Sequence, residues 1–367
     1  MVVMDPRPAP PRLLTYIFFR TSGCRYDRSG ECTMCNYGTA ERQSSDQIIA
    51  NVRSALAQHD DYDALGITPL GNMFDTMEVP AAARCAIIDL ASEREGTIFS
   101  CESRPETLTA SAINDTIARL RGKRFYLNLG LEAAHPWVQA NCVGKSLEAT
   151  AFDGATALLR SVGARPVANV LLGAPFLNQR EAIDSAVGSV KWALSHGSHL
   201  CVLFPANVKG WTLIEWLSDR DMFTMPSLWS LVDVLVRLGP DLAASVVLSW
   251  YAMAPGESRR RFRQSDPLRA SPTTCLACET KVTAGLDRFN QDGDFAMVTE
   301  LSRTNCGCRE QWANGLRQAD PRPLITRVTD AYDVIGTELL GATRWAVHRP
   351  RALAQLQQGY DGHVHPS

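Results

Sequence analysis

From residue 13 to residue 204 short apolar runs alternate with longer amphipathic ones, and this alternation restricts the fold more than any other feature. Residues 13–19, 64–68, 97–101, 124–129, 167–172 and 200–204 read as strands, and residues 46–59, 81–93, 111–120, 151–162 and 181–194 as the helices between them. Strands separated by helices of this length form βα units around a parallel sheet. Six or so such units, rather than eight, fit before residue 255. The expected architecture is α/β: a partial (β/α)6 TIM-like barrel with ligands at the C-terminal ends of its strands. Residues 255–274 turn polar and arginine-rich, which marks a boundary before a small cysteine-rich C-terminal extension. The chain thus divides into a flexible N-terminus (1–12), the partial barrel (13–255), a cysteine-rich region (256–345) and a tail (346–367) in which His363 and His365 are expected to be disordered.

Cys24, Cys32 and Cys35 occupy the loop after the first strand-like run, with seven residues between the first two and two between the last two. Three thiolates so close can hold three irons of a four-iron, four-sulfur cluster and leave the fourth iron without a protein ligand. Such an iron is open to a substrate or cosubstrate. The competing occupant is zinc, which takes a closed set of four ligands in structural sites. No fourth cysteine lies within the first eighty residues, and the one histidine there, His59, ends the following helix-like run.

Composition excludes several classes. A net charge of −2 and a pI near 6.4 provide no footprint for tight, non-specific nucleic-acid binding. No apolar run reaches the length of a membrane span, and residues 1–12 are proline-rich rather than a leader, so a cytoplasmic protein is expected. Seven of the eleven cysteines fall into two groups, which in that compartment argues for metal or redox chemistry over disulfides. Cys85, Cys101, Cys142 and Cys201 lie on helix-like or strand-like runs and read as buried small residues.

Over residues 13–315 the chain resembles the archaeosine-biosynthesis radical S-adenosylmethionine (AdoMet) proteins, relatives of the radical domain of Elongator-type enzymes. The segments that carry the resemblance are Gly-Cys-Arg-Tyr-Asp-Arg-Ser-Gly-Glu-Cys-Thr-Met-Cys-Asn-Tyr-Gly (23–38), Gly-Asn-Met-Phe-Asp (71–75), Glu-Ser-Arg-Pro-Glu (102–106), Gly-Leu-Glu (130–132), Pro-Phe-Leu (175–177), Pro-Ala-Asn-Val (205–208) and the late cysteines. The resemblance implies that a 4Fe-4S cluster on Cys24, Cys32 and Cys35 binds AdoMet at its open iron and generates a 5′-deoxyadenosyl radical. It also implies an electron donor such as flavodoxin or ferredoxin. By the same resemblance Gly71 and Asn72 present backbone groups to the AdoMet ammonium, Glu102 and Arg104 bind its ribose or carboxylate, Glu132 accepts a ribose hydroxyl, and Met34 and Tyr37 line the adenine. The alternative for Arg104 and Glu132 is a mutual ion pair. Asp75, Asn207, Lys209 and Thr212 follow strand ends and are candidate substrate contacts, or else helix caps and loop polar groups.

Cys275, Cys278, Cys306 and Cys308 form a C-x2-C and, about thirty residues later, a C-x-C. This arrangement closes a tetrahedral zinc site or holds a second, auxiliary 4Fe-4S cluster, the latter being the favoured occupant at this level. The expected function is hydrogen abstraction from a small or nucleoside-like substrate, with cleavage or rearrangement of a C–N or C–O bond in a biosynthetic pathway. Radical sulfur insertion from the auxiliary cluster and tRNA base modification of the archaeosine type are the alternatives. A zinc-dependent binding module without catalysis is the reading from a different class.

Overall fold

The computed structural model describes residues 14–39, 42–59, 62–251 and 268–365. The expected flexible segment 1–12 and most of the polar stretch 255–274 lie outside them. Seven parallel strands form one curled sheet in sequence order: β1 (Leu14–Phe19), β2 (Ala64–Pro69), β3 (Ile98–Ser103), β4 (Arg124–Glu132), β5 (Arg165–Leu172), β6 (Leu200–Pro205) and β8 (Val246–Leu248). The first and last strands are not paired to each other, so the sheet is a half-barrel. It has seven strands rather than the six expected, because β8 pairs with β6. A two-stranded antiparallel sheet joins β7 (Val208–Lys209) to β9 (Leu268–Ala270).

Side chains alternate across a strand, so each β-strand contributes to two environments. On the outer face Ile17, Phe19, Leu65, Ile67, Phe99, Cys101, Leu127, Leu129, Ala168, Val170, Cys201 and Leu203 are buried beneath the helices. The inner face is more polar and partly open. Register aligns Tyr16 with Gly66 and Ser100, and Glu102 with Asn128. Gly66 is required there, since a Cβ would sit 2.3 Å from the Tyr16 ring. Phe18 meets Trp250, just after β8, with ring centroids 6.1 Å apart, so side chains from the two unpaired edges converge.

Helices Ser45–Leu56, Ala81–Ser92, Ala110–Arg119, Ala149–Ser161, Gln179–Ser195 and Leu228–Ala243 connect the strands. Two of them start with capping boxes, Ser44 with Gln47 and Asn178 with Glu181, which satisfy N–H groups otherwise orphaned at the first turn. Beyond β9 the chain is helical: Leu276–Asp292, Phe295–Ser302, Gly307–Arg317, Leu324–Leu340 and Ala342–Gln357. Residue 346, where the sequence placed the start of a tail, lies inside the last of these. The expected disorder of His363 and His365 is corrected too: both are described, Val364 is buried, and an Asp361 carboxylate oxygen lies 3.2 Å from His135 Nε2. Among the described residues no helix is long and apolar enough to cross a membrane.

Candidate metal and cofactor site

The chain leaves β1 into Thr21-Ser22-Gly23, where Gly23 adopts φ 92° and a Cβ would meet the Tyr37 carbonyl oxygen at 2.6 Å. Only glycine fits that turn. Cys24 then caps the short helix Arg25–Arg28, and Cys32 and Cys35 follow it, all three buried. Cys32 and Cys35 sulfurs are 3.5 Å apart, and the Cys24 sulfur lies 3.7 Å from Arg104 Nη1.

Remote segments wall this loop. The Thr33 hydroxyl donates to the carbonyls of Cys142 (2.8 Å) and Val143 (3.1 Å), and its backbone N–H also donates to Val143. The Ile214 N–H donates to the Thr33 carbonyl at 3.2 Å, and the Asn36 amide donates to the Gly210 carbonyl at 3.0 Å. At Gly144 the backbones approach so closely that a Cβ would lie 1.7 Å from the Glu31 carbonyl oxygen.

The Cys35 thiol beside Cys32 pulls the latter's pKa down to about 6, aided by the Lys145 ammonium, while Cys35 itself is pushed up. Burial and the Glu78 carboxylate push Cys24 up. Soft sulfur donors of this kind suit iron–sulfur clusters. Three buried thiols on one loop fit the cluster implied by the sequence resemblance.

Beside the loop, Arg104 organises a buried ionic network. Its Nη2 lies 2.5 Å from Asp75, its Nη1 2.8 Å from Glu78 and its Nε 3.0 Å from Glu106. Glu78 in turn accepts the backbone N–H groups of Arg25 (2.9 Å) and Asn72 (2.7 Å). Gly71, at φ 151°, makes room for it: a Cβ there would fall 2.3 Å from Glu78 Oε2. The Asn72 side chain is committed as well, donating to Thr107 and accepting from the Phe74 N–H and the Ser103 hydroxyl. Arg104 and Asp75 are therefore joined to each other in this structure. The mutual pair of Arg104 with Glu132 does not form; Glu132 pairs instead with Lys145, Oε1 to Nζ 2.9 Å.

Glu132 ends β4 at a register shift and takes a left-handed backbone, φ 59°. Its Oε2 is buried without a hydrogen-bond partner, an arrangement that costs free energy unless a ligand supplies a donor. Burial would discharge Lys145, but Glu132 and the three thiols outweigh it and hold the proton. On the inner face burial, reinforced by the Glu132 charge, raises the Glu102 pKa to about 7. Lys209 Nζ sits 3.2 Å from the Tyr37 hydroxyl and 5.4 Å from the Trp250 ring centroid. Met34 and Tyr37 are half-buried on the cysteine loop.

The remaining candidates serve local structure. Thr212 caps helix Leu213–Ser218, accepting the Glu215 N–H at 3.1 Å. Asn207 donates to the Pro205 and Trp250 carbonyls and accepts from Ser271. Sequence reasoning missed Glu78 and gave Lys145 no role. Glu78 carries no motif; Lys145 is one of only five lysines, a signal that could have drawn attention to it.

The late cysteines also converge. Cys275 and Cys306 are the N-caps of helices Leu276–Asp292 and Gly307–Arg317, with Cys278 and Cys308 in the first turns. All four sulfurs lie within 4.8 Å of one another. Among the described residues no other three or more cysteine, histidine or carboxylate groups are so gathered, the three early thiols included. The Trp229 indole N–H points at the Cys308 sulfur at 3.4 Å. Burial would raise the Cys308 pKa, but the Cys275 backbone and Trp229 bring it down to about 6; Cys278, beside the Cys306 sulfur, is pushed up to about 12.

Archaeosine synthase subunit beta of Methanosarcina acetivorans is 25% identical over 310 residues, covering 83% of this chain and 85% of the relative. Its counterpart from Thermococcus kodakarensis is 25% identical over 319 residues, 82% and 91% of the two chains. The chain is similar to archaeosine synthase subunit beta along most of its length. The expected resemblance to the archaeosine-biosynthesis proteins is borne out. No protein-family model matches. Among solved structures, Elp3 of the archaeon Methanocaldococcus infernus overlaps with a TM-score of 0.48 at 12% identity, covering 76% of this chain and 63% of that one. An overlap of that size carries no functional argument.

Proposed function

We propose that the chain is a radical AdoMet enzyme that abstracts a hydrogen atom from a small or nucleoside-like substrate and so leads to cleavage or rearrangement of a C–N or C–O bond. The observation that carries the reading is the buried trio Cys24, Cys32 and Cys35 at the end of β1, beside the polar inner face of the half-barrel. Cys24, Cys32 and Cys35 would hold the cluster, which when bound and reduced would supply the electron for cleavage of AdoMet to methionine and a 5′-deoxyadenosyl radical.

The chain's own residues bind and orient. Glu132 Oε2 accepts a ribose hydroxyl and thereby gains the donor it lacks. Backbone groups around Gly71 and Asn72, held by Glu78 and Arg104, receive the methionine ammonium. Met34 and Tyr37 flank the adenine. Lys145 balances the negative charge of Glu132 and the thiolates. Glu102 and Lys209 face the substrate from the inner wall, where a carboxyl poised near neutrality can exchange a proton with a basic substrate atom. Holding one C–H against C5′ while excluding other hydrogen donors is the protein's contribution to rate. The electron comes from a small carrier such as flavodoxin or ferredoxin.

A second reading, archaeosine-type modification of a tRNA base, is favoured by the names of the curated relatives. The net charge of −2 offers it no general attraction to RNA. Sulfur insertion requires an iron–sulfur cluster at the late cysteines and therefore stands or falls with the identity of that metal.

Anaerobically reconstituted, reduced protein is expected to convert AdoMet to 5′-deoxyadenosine and methionine, and a Cys24→Ala/Cys32→Ala/Cys35→Ala variant is expected to lose this entirely. No 5′-deoxyadenosine from iron-loaded wild type, with small-molecule, nucleoside and tRNA substrates supplied, would end the proposal.

A further inference from the structure

We propose that Cys275, Cys278, Cys306 and Cys308 bind a single zinc ion as a closed structural site, rather than an auxiliary iron–sulfur cluster. This goes beyond the catalytic reading and does not depend on it. Zinc held by thiolates at about 2.3 Å places the sulfurs at the corners of a tetrahedron with edges of about 3.8 Å. The observed separations match: Cys275 to Cys306 is 3.7 Å, Cys306 to Cys308 is 3.5 Å, and no pair exceeds 4.8 Å. A four-iron cluster carries each thiolate outward of its own iron, which spreads the sulfurs to roughly 6 Å. One close pair does not separate the two occupants, since Cys32 and Cys35 are also 3.5 Å apart; what sets the late group apart is that all four of its sulfurs gather within 4.8 Å, whereas no third thiol joins Cys32 and Cys35 at that spacing.

The scaffold explains why the late separations are fixed. Each pair belongs to the first turn of a helix, one of 17 residues and one of 11, so opening the quartet would require moving whole helices. A Cβ on Gly285 would lie 2.8 Å from a Leu301 methyl, so the first of these helices is packed tightly on its neighbour Phe295–Ser302. The two N-termini bring partial positive charge to four thiolates, and Trp229 donates to one of them. Such donors stabilise a bound thiolate and quench its reactivity. Zinc binding releases the thiol protons to solvent and involves no electron transfer.

The position defines the role. Trp229 belongs to helix Leu228–Ala243, which precedes the last strand of the half-barrel, and the Leu228 N–H donates to the Thr273 carbonyl two residues before Cys275. The ion therefore staples the C-terminal helices to the final βα unit.

The test uses the full-length Cys24→Ala/Cys32→Ala/Cys35→Ala variant, produced with both iron and zinc available, so that the late site is read without the early one. The expected result is one zinc per chain, little iron or sulfide, and a zinc absorption-edge spectrum with four sulfur neighbours at about 2.3 Å. Cobalt substituted for zinc is expected to give the intense visible bands of a tetrahedral tetrathiolate ion. About four irons and four sulfides per chain in this variant would overturn the proposal, as would a soluble, helical variant that carries no metal. If the variant does not fold, edge spectroscopy at zinc on the wild type decides by the same criterion, because no zinc or a non-sulfur shell refutes it. Failure of AdoMet cleavage in the wild type would leave each of these readouts unchanged.

Discussion

Replacing Arg104 with alanine is expected to destabilise the protein by about 3–5 kcal/mol, because the two buried carboxylates it neutralises have no other cation at comparable range in the network described. The side chains of Arg104, Asp75 and Glu78 are 7%, 8% and 2% exposed, so solvent screens the pairs weakly. Glu78 would keep its two backbone donors, Arg25 and Asn72, which is why the loss stays in the range of a broken buried pair. For a chain of 367 residues, at roughly 2 °C per kcal/mol, the melting temperature should fall by about 6–10 °C. The assay is thermal and urea unfolding of the iron-free protein, since a bound cluster beside Arg104 would add its own stability. Arg104→Lys keeps a charge but loses the fork, and its loss should be intermediate. In an Arg104→Ala/Glu78→Gln double variant one stranded charge is removed, so the second substitution should restore part of the loss. A deficit below about 1 kcal/mol for Arg104→Ala, or a double variant that is worse by the sum of the singles, would refute the network as the source of stability.

Glu102 has its pKa raised from 4.5 to about 7, so its burden on stability is absent below the lower value and complete above the upper one. Glu102→Gln should therefore gain about 1–3 kcal/mol over wild type at pH 8, after discount for the half-open chamber, and nothing at pH 4; equal effects at both values would remove the argument. Glu132→Gln should weaken AdoMet binding by about tenfold in calorimetry with iron content unchanged, in keeping with one hydrogen bond to a charged acceptor. Unaltered affinity would dissociate the orphaned Oε2 from ribose recognition. Thr33→Val removes the hydroxyl that bonds two carbonyls and should cost about 1–3 kcal/mol, with faster loss of iron to a chelator; a variant that holds iron as long as wild type counts against the loop's anchoring role.

The first six strands and the helices between them were legible because each spans enough residues to display its period. β8 has only three residues, too few for alternation to register, and it exists because β6 offers it an edge. The last helix was hidden by a polar, arginine-rich composition and an internal Pro350; it holds its place through Trp345, packed where Gly336 leaves space, and buried Leu356. At the site, cysteine spacing showed both groups of thiols. The partners of Arg104 could not be read in the same way, because Asp75, Glu78 and Glu106 come from two different loops and a loop carboxylate ordinarily faces water. Thr212 illustrates the opposite case, since its position three residues before Glu215 already carried the capping signature that the structure displays. The zinc proposal at the late quartet rests on distances, which spacing along a chain does not contain.

The walls of the cysteine loop also impose an order of assembly. Thr33 leaves the ribosome before its partners: the carbonyls it bonds belong to Cys142 and Val143, and the amide that bonds its own carbonyl belongs to Ile214. A nascent chain that ends before residue 214 thus exposes three cysteines on a loop with one wall missing. Iron and sulfide offered then would meet a floppy peptide, open to oxidation and wrong partners. If the proposed cluster is bound there, the machinery that delivers it would act on a half-barrel whose sixth strand is already in place, so loading would follow the synthesis of residue 214, well after that of its ligands.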